Sequence, residues 1–378
     1  MSEKRIAFFQ YDMKVGGIQH SLYALLSRIK EDKDICADVF INHPADVFYD
    51  MGKLEDNENI RIFFTRPLPY ANRFMKFEKV MEVYGDQVLG DLCEALGGAL
   101  PEYDLAIDFN SYQNDCAIGA LSVSAISRVC WIHNDVIKKH ANEKKYAVLR
   151  HFFKGKYIGY DAFAAVSEGV IIPFHKLNPN ASENDFLVKN LLDEQLFKEA
   201  VELPSPFTDP SRRNVVWVGR FNHQKGTDIL MDLMNRALAD HEGKDLFFTL
   251  IGRGPDDEKL RRFILKNKLT DRISLKGNLK DPLPYIRHAD VYLSTSRYEG
   301  QGISVMEAHA LGTPVIMPSS LEDYAREVKG CDDLLGALLA APKKSQVSDP
   351  GEILEAVKAY NDRAYGQFLE LTDKCMNL

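Results

Sequence analysis

A cationic loop in the second half of the sequence carries residue types that could bind phosphate. Arg220 and Lys225 lie five positions apart in the segment Gly219–Gly226, directly after the apolar run Val215–Val218. Arg binds an anion as a planar fork and Lys as a point charge, so the two could converge on adjacent phosphates. Taken alone, the pattern is more simply explained as two exposed loop cations. The loop described next favours the phosphate interpretation.

The strongest signal is a glycine-rich loop that opens a helix. Gly300 and Gly302 flank Gln301 after the apolar run Val291–Ser294, and glycine permits positive φ and close approach of the backbone. The helix predicted to begin near Ile303 has free N–H groups in its first turn, which form an anion site.

Two carboxylates accompany this helix. Glu299 precedes it and Glu307 lies about one turn inside it, eight positions further on. At that spacing they need not touch, and each can bind a different part of one extended ligand. The alternative is a solvated loop followed by a glutamate on a helix surface.

Three weaker signals follow other predicted strands. Gly252 and Gly254 form a lone G-x-G, which a tight turn explains equally well because the third glycine of a dinucleotide fingerprint is missing. Gly16 and Gly17 lie between a strand and a helix, where ligand contact and turn formation are equally good explanations. His133 ends an apolar strand, and this position favours a functional role over a structural one.

Short apolar runs alternate with amphipathic segments along the whole chain, as in parallel sheets covered on both faces. The predicted strands are Arg5–Phe9, Cys36–Ile41, Ile60–Phe64, Leu105–Phe109, Val129–His133, Ala162–Val166, Phe186–Lys189, Val215–Val218, Leu246–Ile251, Ile273–Lys276, Val291–Ser294 and Pro314–Met317. The pattern implies two doubly wound α/β domains, whose ligands lie beyond the carboxyl ends of the strands.

We therefore predict two Rossmann-like domains that face each other across a cleft, at residues 1–192 and 193–351. The proline-containing stretch Leu191–Arg213 is predicted to be the linker, and Lys329–Asp349 is predicted to be irregular. A last helix over residues 352–378 is expected to pack back on the first domain.

Composition excludes several classes of protein. The 378 residues are 45% hydrophobic and 27% charged, with a net charge of −8, which argues against general nucleic-acid binding. The six cysteines form no C-x-x-C pair, as expected of buried thiols in a reducing compartment. With no signal-peptide pattern and no apolar run long enough to span a membrane, we expect a cytoplasmic protein.

No metal site is predicted. The other nine histidines show no metal-ligand spacing, and the one D-x-D, Asp32–Asp34, lies in a charged loop away from any apolar strand. We expect neither a metal nor a cofactor.

The loops around Arg220, Gly252 and Glu299 together resemble the donor half of the family 4 retaining glycosyltransferases, which have the GT-B fold. The similarity runs through most of residues 214–318, and a looser one reaches Gly16, Gly17 and His133. After Pro318 the sequence departs from the family pattern, which leaves the nucleotide base open.

The resemblance implies a role for each matching residue. Arg220 and Lys225 would bind the donor diphosphate, Glu307 the ribose hydroxyls and Glu299 the hydroxyls of the transferred sugar. The backbone amides from Gly300 to Ile303 would lie against sugar and diphosphate. His133 would contact the sugar, and Gly17 would approach the phosphates. The family needs no metal ion, because Arg and Lys replace it.

The implied function is transfer of a hexose from a nucleotide sugar, UDP-linked, to a saccharide or lipid-linked saccharide in bacterial surface polysaccharide synthesis. One alternative is a sugar-nucleotide epimerase of the same architecture, which needs acid and base carboxylates flanking the sugar. Another is a non-catalytic partner subunit of a glycosyltransferase, which would have no need to keep these four charged residues.

Two stretches rich in basic and aromatic residues suggest contact with a membrane surface. Lys138–Lys156 carries seven Lys and Arg against one acid, and Arg66–Lys79 is a second candidate. The expected partner is the anionic face of a membrane, over residues 138–157. A solvated helix face with core aromatics is the alternative.

Overall fold

Two parallel β-sheets organise the chain in the structure, a computed structural model that describes residues 3–45, 47–55 and 58–378. The polypeptide divides into two compact units. The first comprises Met1–Leu191 and Asn361–Leu378, and the second comprises Leu192–Tyr360.

The first unit contains seven strands in the order β3-β2-β1-β4-β5-β6-β7. They are β1 (Lys4–Asp12), β2 (Ile35–His43), β3 (Ile60–Phe64), β4 (Tyr103–Asp108), β5 (Ala125–Ile132), β6 (Ala162–Ala165) and β7 (Asp185–Leu187). Each neighbouring pair is parallel. The run Ile6–Phe9 of β1 is fully buried, as expected of a central strand covered on both faces.

Helices connect these strands. They are α1 (Gly17–Ile29), α2 (Gly52–Glu55), α3 (Phe77–Leu96), α4 (Asn114–Ser122), α5 (Val136–Asn142), α6 (Lys144–Phe153) and α7 (Glu168–Leu177), with 3₁₀ turns at Tyr70–Phe74 and Lys154–Gly159. In α1 the residues Leu22, Leu25, Leu26 and Ile29 are buried, because their spacing of three and four places them on one helical face.

The second unit contains five parallel strands in the order β10-β9-β8-β11-β12. They are β8 (Arg213–Val218), β9 (Leu246–Ile251), β10 (Ile273–Gly277), β11 (Val291–Leu293) and β12 (Val315–Ile316). The helices are α8 (Glu194–Glu202), α9 (Thr227–Ala239), α10 (Asp257–Lys266), α11 (Leu283–His288), α12 (Ile303–Ala310) and α13 (Leu334–Ala340). Apolar clusters cover both faces of this sheet.

One long helix, α14 (Pro350–Cys375), ends the chain. Ile353 and Val357, in its first half, belong to the core of the second unit. Phe368, in its second half, packs in the first unit, where its ring centroid lies 6.3 Å from those of Phe8 and Trp131. The prediction places the whole of residues 352–378 on the first domain, whereas only Asn361–Leu378 belongs to the first unit.

Two sequence-based assignments are wrong. The predicted linker Leu191–Arg213 contains α8, whose Phe197, Ala200 and Val201 are buried in the second unit. Its prolines lie only after the helix has ended. The predicted irregular stretch Lys329–Asp349 contains α13, which is capped by the Asp333 carboxylate at the Gly336 amide.

In both sheets, the order in which the chain adds strands reverses at a central pair of strands. In the first unit the chain winds outward on either side of β1 and β4, and in the second on either side of β8 and β11. The prediction of two doubly wound parallel α/β domains is thus confirmed. The carboxyl ends of such a central pair flank the crevice in which ligands of these folds bind.

Candidate functional site

The central strands of the second unit present the two predicted charged loops side by side. The loop Gly219–Gly226 follows β8, and the loop from Ser294 to Gly302 follows β11. Because β8 and β11 pair in parallel, both loops leave the same edge of the sheet.

An ion pair joins these loops. The Nζ of Lys225 lies 2.6 Å from Oε1 of Glu299, and the Ser296 hydroxyl donates to the same oxygen at 2.6 Å. The Glu299 side chain is 9% exposed and that of Lys225 25%. A cation and an oriented carboxylate therefore lie in direct contact at the ligand edge, with part of the Lys225 side chain open to solvent.

Arg220 adds a second cation two positions beyond the end of β8. Its side chain is exposed, and its guanidinium makes no hydrogen bond or ion pair with the described residues. All five of its N–H donors can therefore be offered to an anion.

A second ion pair, which the sequence analysis missed, fixes the framework of the two loops. Arg297 binds the Asp228 carboxylate with two hydrogen bonds of 2.8 and 2.7 Å, and these lower the pKa of Asp228 to about 2. Arg297 also donates to the backbone carbonyl of His223 at 2.8 Å. The two partners are 69 positions apart, and no local pattern joins them.

Glycines permit the loops to pack this closely. Gly226 has φ 68°, and a Cβ there would lie 2.0 Å from the carbonyl oxygen of Thr295. Gly252 has φ 136°, and its Cβ would lie 1.9 Å from the carbonyl oxygen of Gly219. Gly252 and Gly254 therefore hold the β9 loop against the cationic loop, and Gly254 packs on the backbone of Phe221.

The amino end of α12 lies where the sequence predicts it. Gly302 takes the left-handed conformation at φ 72°, and Ile303 begins the helix without a side-chain cap. Gln301 is buried, and its amide nitrogen donates to the hydroxyl of Tyr360 in α14. The Gln301 side chain therefore braces the loop, while the first backbone amides of α12 remain uncapped by any side chain.

Glu307 is buried inside α12. Desolvation, together with the charges of Asp281 and Asp193, raises its pKa to about 8. Burial raises the pKa of Tyr292 in β11, and the charges of Glu307 and Glu299 raise it further. Tyr292 therefore interacts electrostatically with both carboxyl groups, and at neutral pH Glu307 is predominantly protonated.

His133, in the first unit, occupies an apolar cage at the end of β5. The imidazole centroid lies 4.6 Å from the ring of Phe109 and 6.0 Å from that of Trp131. Burial lowers its pKa to about 3, against a hydrogen bond to the backbone of Phe109. Its buried Nε2 has no hydrogen-bond partner among the described residues, and the lowered pKa makes His133 a neutral imidazole.

Gly16 and Gly17 form the start of α1. Gly16 has an extended backbone at φ 178°, and a Cβ there would meet only the flexible side chain of Gln19. That side chain donates to the Asp12 carboxylate at 2.6 Å. No strained turn requires a glycine at position 16.

Residues 3–45, 47–55 and 58–378 contain no group of three or more His, Cys, Asp or Glu side chains that could hold a metal ion. Over the same residues, none of the helices combines the length and apolar character needed to cross a bilayer.

Comparison with known proteins gives the site a family context. Residues 212–358 match the family described as "Glycosyl transferases group 1". The second unit therefore carries a domain of this type, and it contains Arg220, Lys225, Glu299 and Glu307.

Two curated relatives are similar over part of the chain. The lipopolysaccharide core biosynthesis mannosyltransferase LpsB of Rhizobium meliloti is 28% identical over 157 residues, which are 41% of this chain and 43% of LpsB. The poly(glycerol-phosphate) alpha-glucosyltransferase of Bacillus subtilis is 28% identical over 192 residues, 49% of this chain and 26% of that protein. The matches thus span less than half the length of either relative.

A solved structure is similar along the whole chain. The crystal structure of Anabaena HepE in complex with UDP matches with a TM-score of 0.63 and 16% identity, covering 99% of this chain and 100% of HepE. At this identity the likeness shows the fold alone, which is the GT-B type predicted from the sequence.

Proposed function

We propose that this protein is a retaining glycosyltransferase of family 4 that transfers a hexose from a UDP-sugar to a saccharide or lipid-linked saccharide acceptor. The expected setting is synthesis of a bacterial surface polysaccharide. The observation that carries the proposal is the Lys225–Glu299 pair, 2.6 Å apart, beside the exposed Arg220 at one sheet edge.

The Lys225–Glu299 pair offers one group to each side of the sugar–phosphate bond that would break. In a nucleotide sugar, an anionic diphosphate and a ring rich in hydroxyls meet at the anomeric carbon. Lys225 and Arg220 would take the diphosphate, and Glu299 would accept hydrogen bonds from the sugar. A cation and a carboxylate already in contact would bring phosphate and sugar side by side.

The surrounding groups extend the same ligand. The backbone amides from Gly300 to Ile303, at the amino end of α12, would bind a phosphate oxygen. Glu307 would bind the ribose hydroxyls. His133 would accept a hydrogen bond from a sugar hydroxyl at Nε2.

Catalysis then follows from charge placement. When the sugar–phosphate bond breaks, its electron pair goes to the diphosphate oxygen, and the sugar acquires oxocarbenium character. Cations and helix amides fixed at the leaving group stabilise this transition state more than the ground state. The acceptor hydroxyl would attack from the face that the phosphate leaves and pass its proton to the departing phosphate oxygen, which retains configuration.

Two fixed cations at the diphosphate would do the work that a divalent ion does elsewhere, so we propose a reaction that needs no metal. We also propose that the protein acts in the cytoplasm, where nucleotide sugars are supplied.

The test is a product assay. The protein is incubated with UDP-hexoses, with and without saccharide acceptors or a lipid extract. We expect release of UDP only with acceptor, a product heavier by one hexose, and an anomeric configuration equal to that of the donor by NMR. An epimerised UDP-sugar formed without acceptor would contradict the proposal and favour the epimerase.

A further inference from the structure

The two basic and aromatic stretches of the first unit form one surface. The centroid of Phe74, in the 3₁₀ turn Tyr70–Phe74, lies 6.2 Å from that of Phe152 in α6. Tyr70 packs edge-on against Phe74 at 5.9 Å. Segments about 75 positions apart therefore meet, and we call residues 70–76 and 144–154 together the basic aromatic surface.

Apolar side chains on this surface point to solvent. Tyr70 is 67% exposed, Phe74 52% and Val148 61%. Val148 and Phe152 are four positions apart in α6 and so share one helical face. Since Phe152 contacts Phe74, the exposed Val148 lies on the side of α6 that carries the exposed aromatics.

The charge of this surface is predominantly positive. Residues 70–76 and 144–154 contain Arg73, Lys76, Lys144, Lys145, Arg150 and Lys154 and no Asp or Glu, in a chain of net charge −8. Arg150 donates hydrogen bonds to the Asn178 side chain and to the carbonyl of Leu177. Two acids border it. The Glu78 carboxylate packs against Gly155, and Glu143 is 3.9 Å from Lys145 and 3.3 Å from Lys139.

Part of the stretch predicted to touch a membrane is turned inward. Lys156 is 1% exposed and donates to the carbonyl of Gln113, and Lys139 is buried and packs over the Tyr146 ring. The prediction that residues 138–157 form the surface as a whole is wrong for these two cations. The segment 70–76 takes their place.

We propose that the basic aromatic surface docks on an anionic lipid bilayer. Exposed aromatic and aliphatic side chains surrounded by cations complement a layer of anionic headgroups over an apolar interior. A soluble polyanion would need only the cations and would leave Tyr70, Phe74 and Val148 unexplained. A second copy of the same surface is excluded by repulsion between like charges.

The surface adjoins the ligand edge of the first sheet. Arg73 donates to the Gln113 side chain at 3.0 Å and to the Tyr11 hydroxyl at 3.5 Å. Tyr11 lies near the carboxyl end of β1, and Gln113 follows β4, so Arg73 lies beside the central crevice of this sheet. If the proposed function holds, docking would bring a lipid-linked acceptor to this edge.

Sedimentation with vesicles tests the proposal. Vesicles of phosphatidylcholine with 30% phosphatidylglycerol are compared with pure phosphatidylcholine at low and high salt. We expect binding to the anionic vesicles only, weakened by salt because the attraction is screened. Equal binding to neutral vesicles, or none to anionic ones, would overturn the proposal.

Two pairs of variants locate the contact. Lys144→Glu/Lys145→Glu places acids in the first turn of α6, where they favour the helix. The change alters the charge by four units, and because each unit contributes about fivefold, binding should weaken by at least about 100-fold. The control Lys33→Glu/Lys53→Glu makes the same charge change at exposed sites of the same unit and should retain most of the binding. An equal loss in both pairs would contradict a local surface.

The apolar part has its own test. Tyr70→Ser/Phe74→Ser and, separately, Val148→Ser should reduce vesicle binding at least about tenfold. The control Ile126→Ser/Ile172→Ser alters side chains of similar exposure elsewhere. Unchanged binding of both surface variants, with soluble polyphosphate competing fully, would assign the surface to polyanions and overturn the bilayer.

The thermal shift with UDP is measured on the same samples. Vesicle binding without a UDP shift would contradict the proposed function and leave the docking surface standing. A UDP shift without vesicle binding would contradict the docking surface and leave the proposed function standing.

Discussion

The ligand edges of the two sheets are built in opposite ways. In the second unit, the edge at β8 and β11 is polar and cationic, with Lys225 and Glu299 in contact and Arg220 open to solvent. In the first unit, the edge at β5 holds one neutral imidazole, His133, inside aromatic rings. An edge made of charges suits a diphosphate, whereas an apolar cage with one nitrogen suits an uncharged hydroxyl group.

The difference is separable by mutation, because the two edges depend on different interactions. Loss of Arg220 or Lys225 should weaken binding of the donor diphosphate and stabilisation of its charge in the transition state. Loss of the imidazole should damage neither donor charge neutralisation nor the loop framework.

The largest effect is expected from the cations. Arg220→Ala and Lys225→Ala should each reduce kcat by 100- to 1,000-fold, about 3–4 kcal/mol, by analogy with loss of one oxyanion-hole donor. Steady-state kinetics of UDP release measures this. Lys259→Ala, an exposed lysine on α10, is the control and should turn over normally. Near-normal turnover of both site variants would contradict the assignment of Arg220 and Lys225 to the donor diphosphate.

The next effect concerns the close approach of the loops. Gly226→Ala places a Cβ 2.0 Å from the Thr295 carbonyl oxygen at φ 68° and should lower the free energy of unfolding by about 2–3 kcal/mol. Denaturant unfolding measures it. Gly85→Ala, in α3 with nothing within 4 Å of the new Cβ, should stabilise by about 0.4–1 kcal/mol. If Gly226→Ala were more stable than Gly85→Ala, the close contact between the two loops would not contribute to the stability of the fold.

Substitution of Glu307 should change two properties in opposite directions, raising the stability of the free protein and weakening UDP binding. Its pKa of about 8 lies above the usual 4.5, so the unfolded chain releases this proton first and stability falls as pH rises from 4.5 to 8. Glu307→Gln should remove that loss and raise Tm at pH 8 more than at pH 5. The same change should weaken UDP binding by about 0.5–1.5 kcal/mol if the protonated Glu307 carboxyl group holds the ribose.

Calorimetry at the two pH values, with and without UDP, measures both effects. Stabilisation of the free protein without weaker UDP binding would remove Glu307 from the nucleotide site. A lower Tm at pH 8 would contradict its buried, protonated state.

The smallest effect is expected at His133. Its pKa of about 3 lies below the usual 6.5, so the stability it contributes is present above pH 6.5 and is lost as pH falls towards 3. His133→Phe should flatten this loss, by at most about 1.4 kcal/mol between pH 6.5 and 5.5. Unfolding curves across this range are the measurement. An unchanged acid slope would mean that the imidazole is not held neutral by its cage.

The second edge could be predicted because its residues are close in sequence. Arg220 and Lys225 share one loop, and Glu299, Gly302 and Ile303 share another, each directly after an apolar strand. The bracing by Arg297 and Asp228 could not be predicted, since it joins residues 69 positions apart. The ring cage of His133 likewise needs Phe109 from a different strand.

The assignment of the chain between the two sheets failed for a related reason. Three prolines in Leu191–Arg213 suggested a linker, but they follow α8, and the burial of Phe197 depends on a partner surface that the local sequence does not show. The basic surface repeats this lesson, since only the contact of Phe74 with Phe152 shows that two segments form one face.

One measurement tests the central claim most directly, that the edge at β8 and β11 binds a nucleoside diphosphate through Arg220 and Lys225. The Tm of the wild type, Arg220→Ala and Lys259→Ala is measured with UDP, GDP, ADP and the corresponding nucleotide sugars. A ligand at about 100 times its Kd should stabilise by about 2.7 kcal/mol. We predict a shift with the uridine nucleotides that Lys259→Ala retains and Arg220→Ala loses; the absence of a shift with every nucleotide would contradict the claim and bring the non-catalytic partner subunit forward.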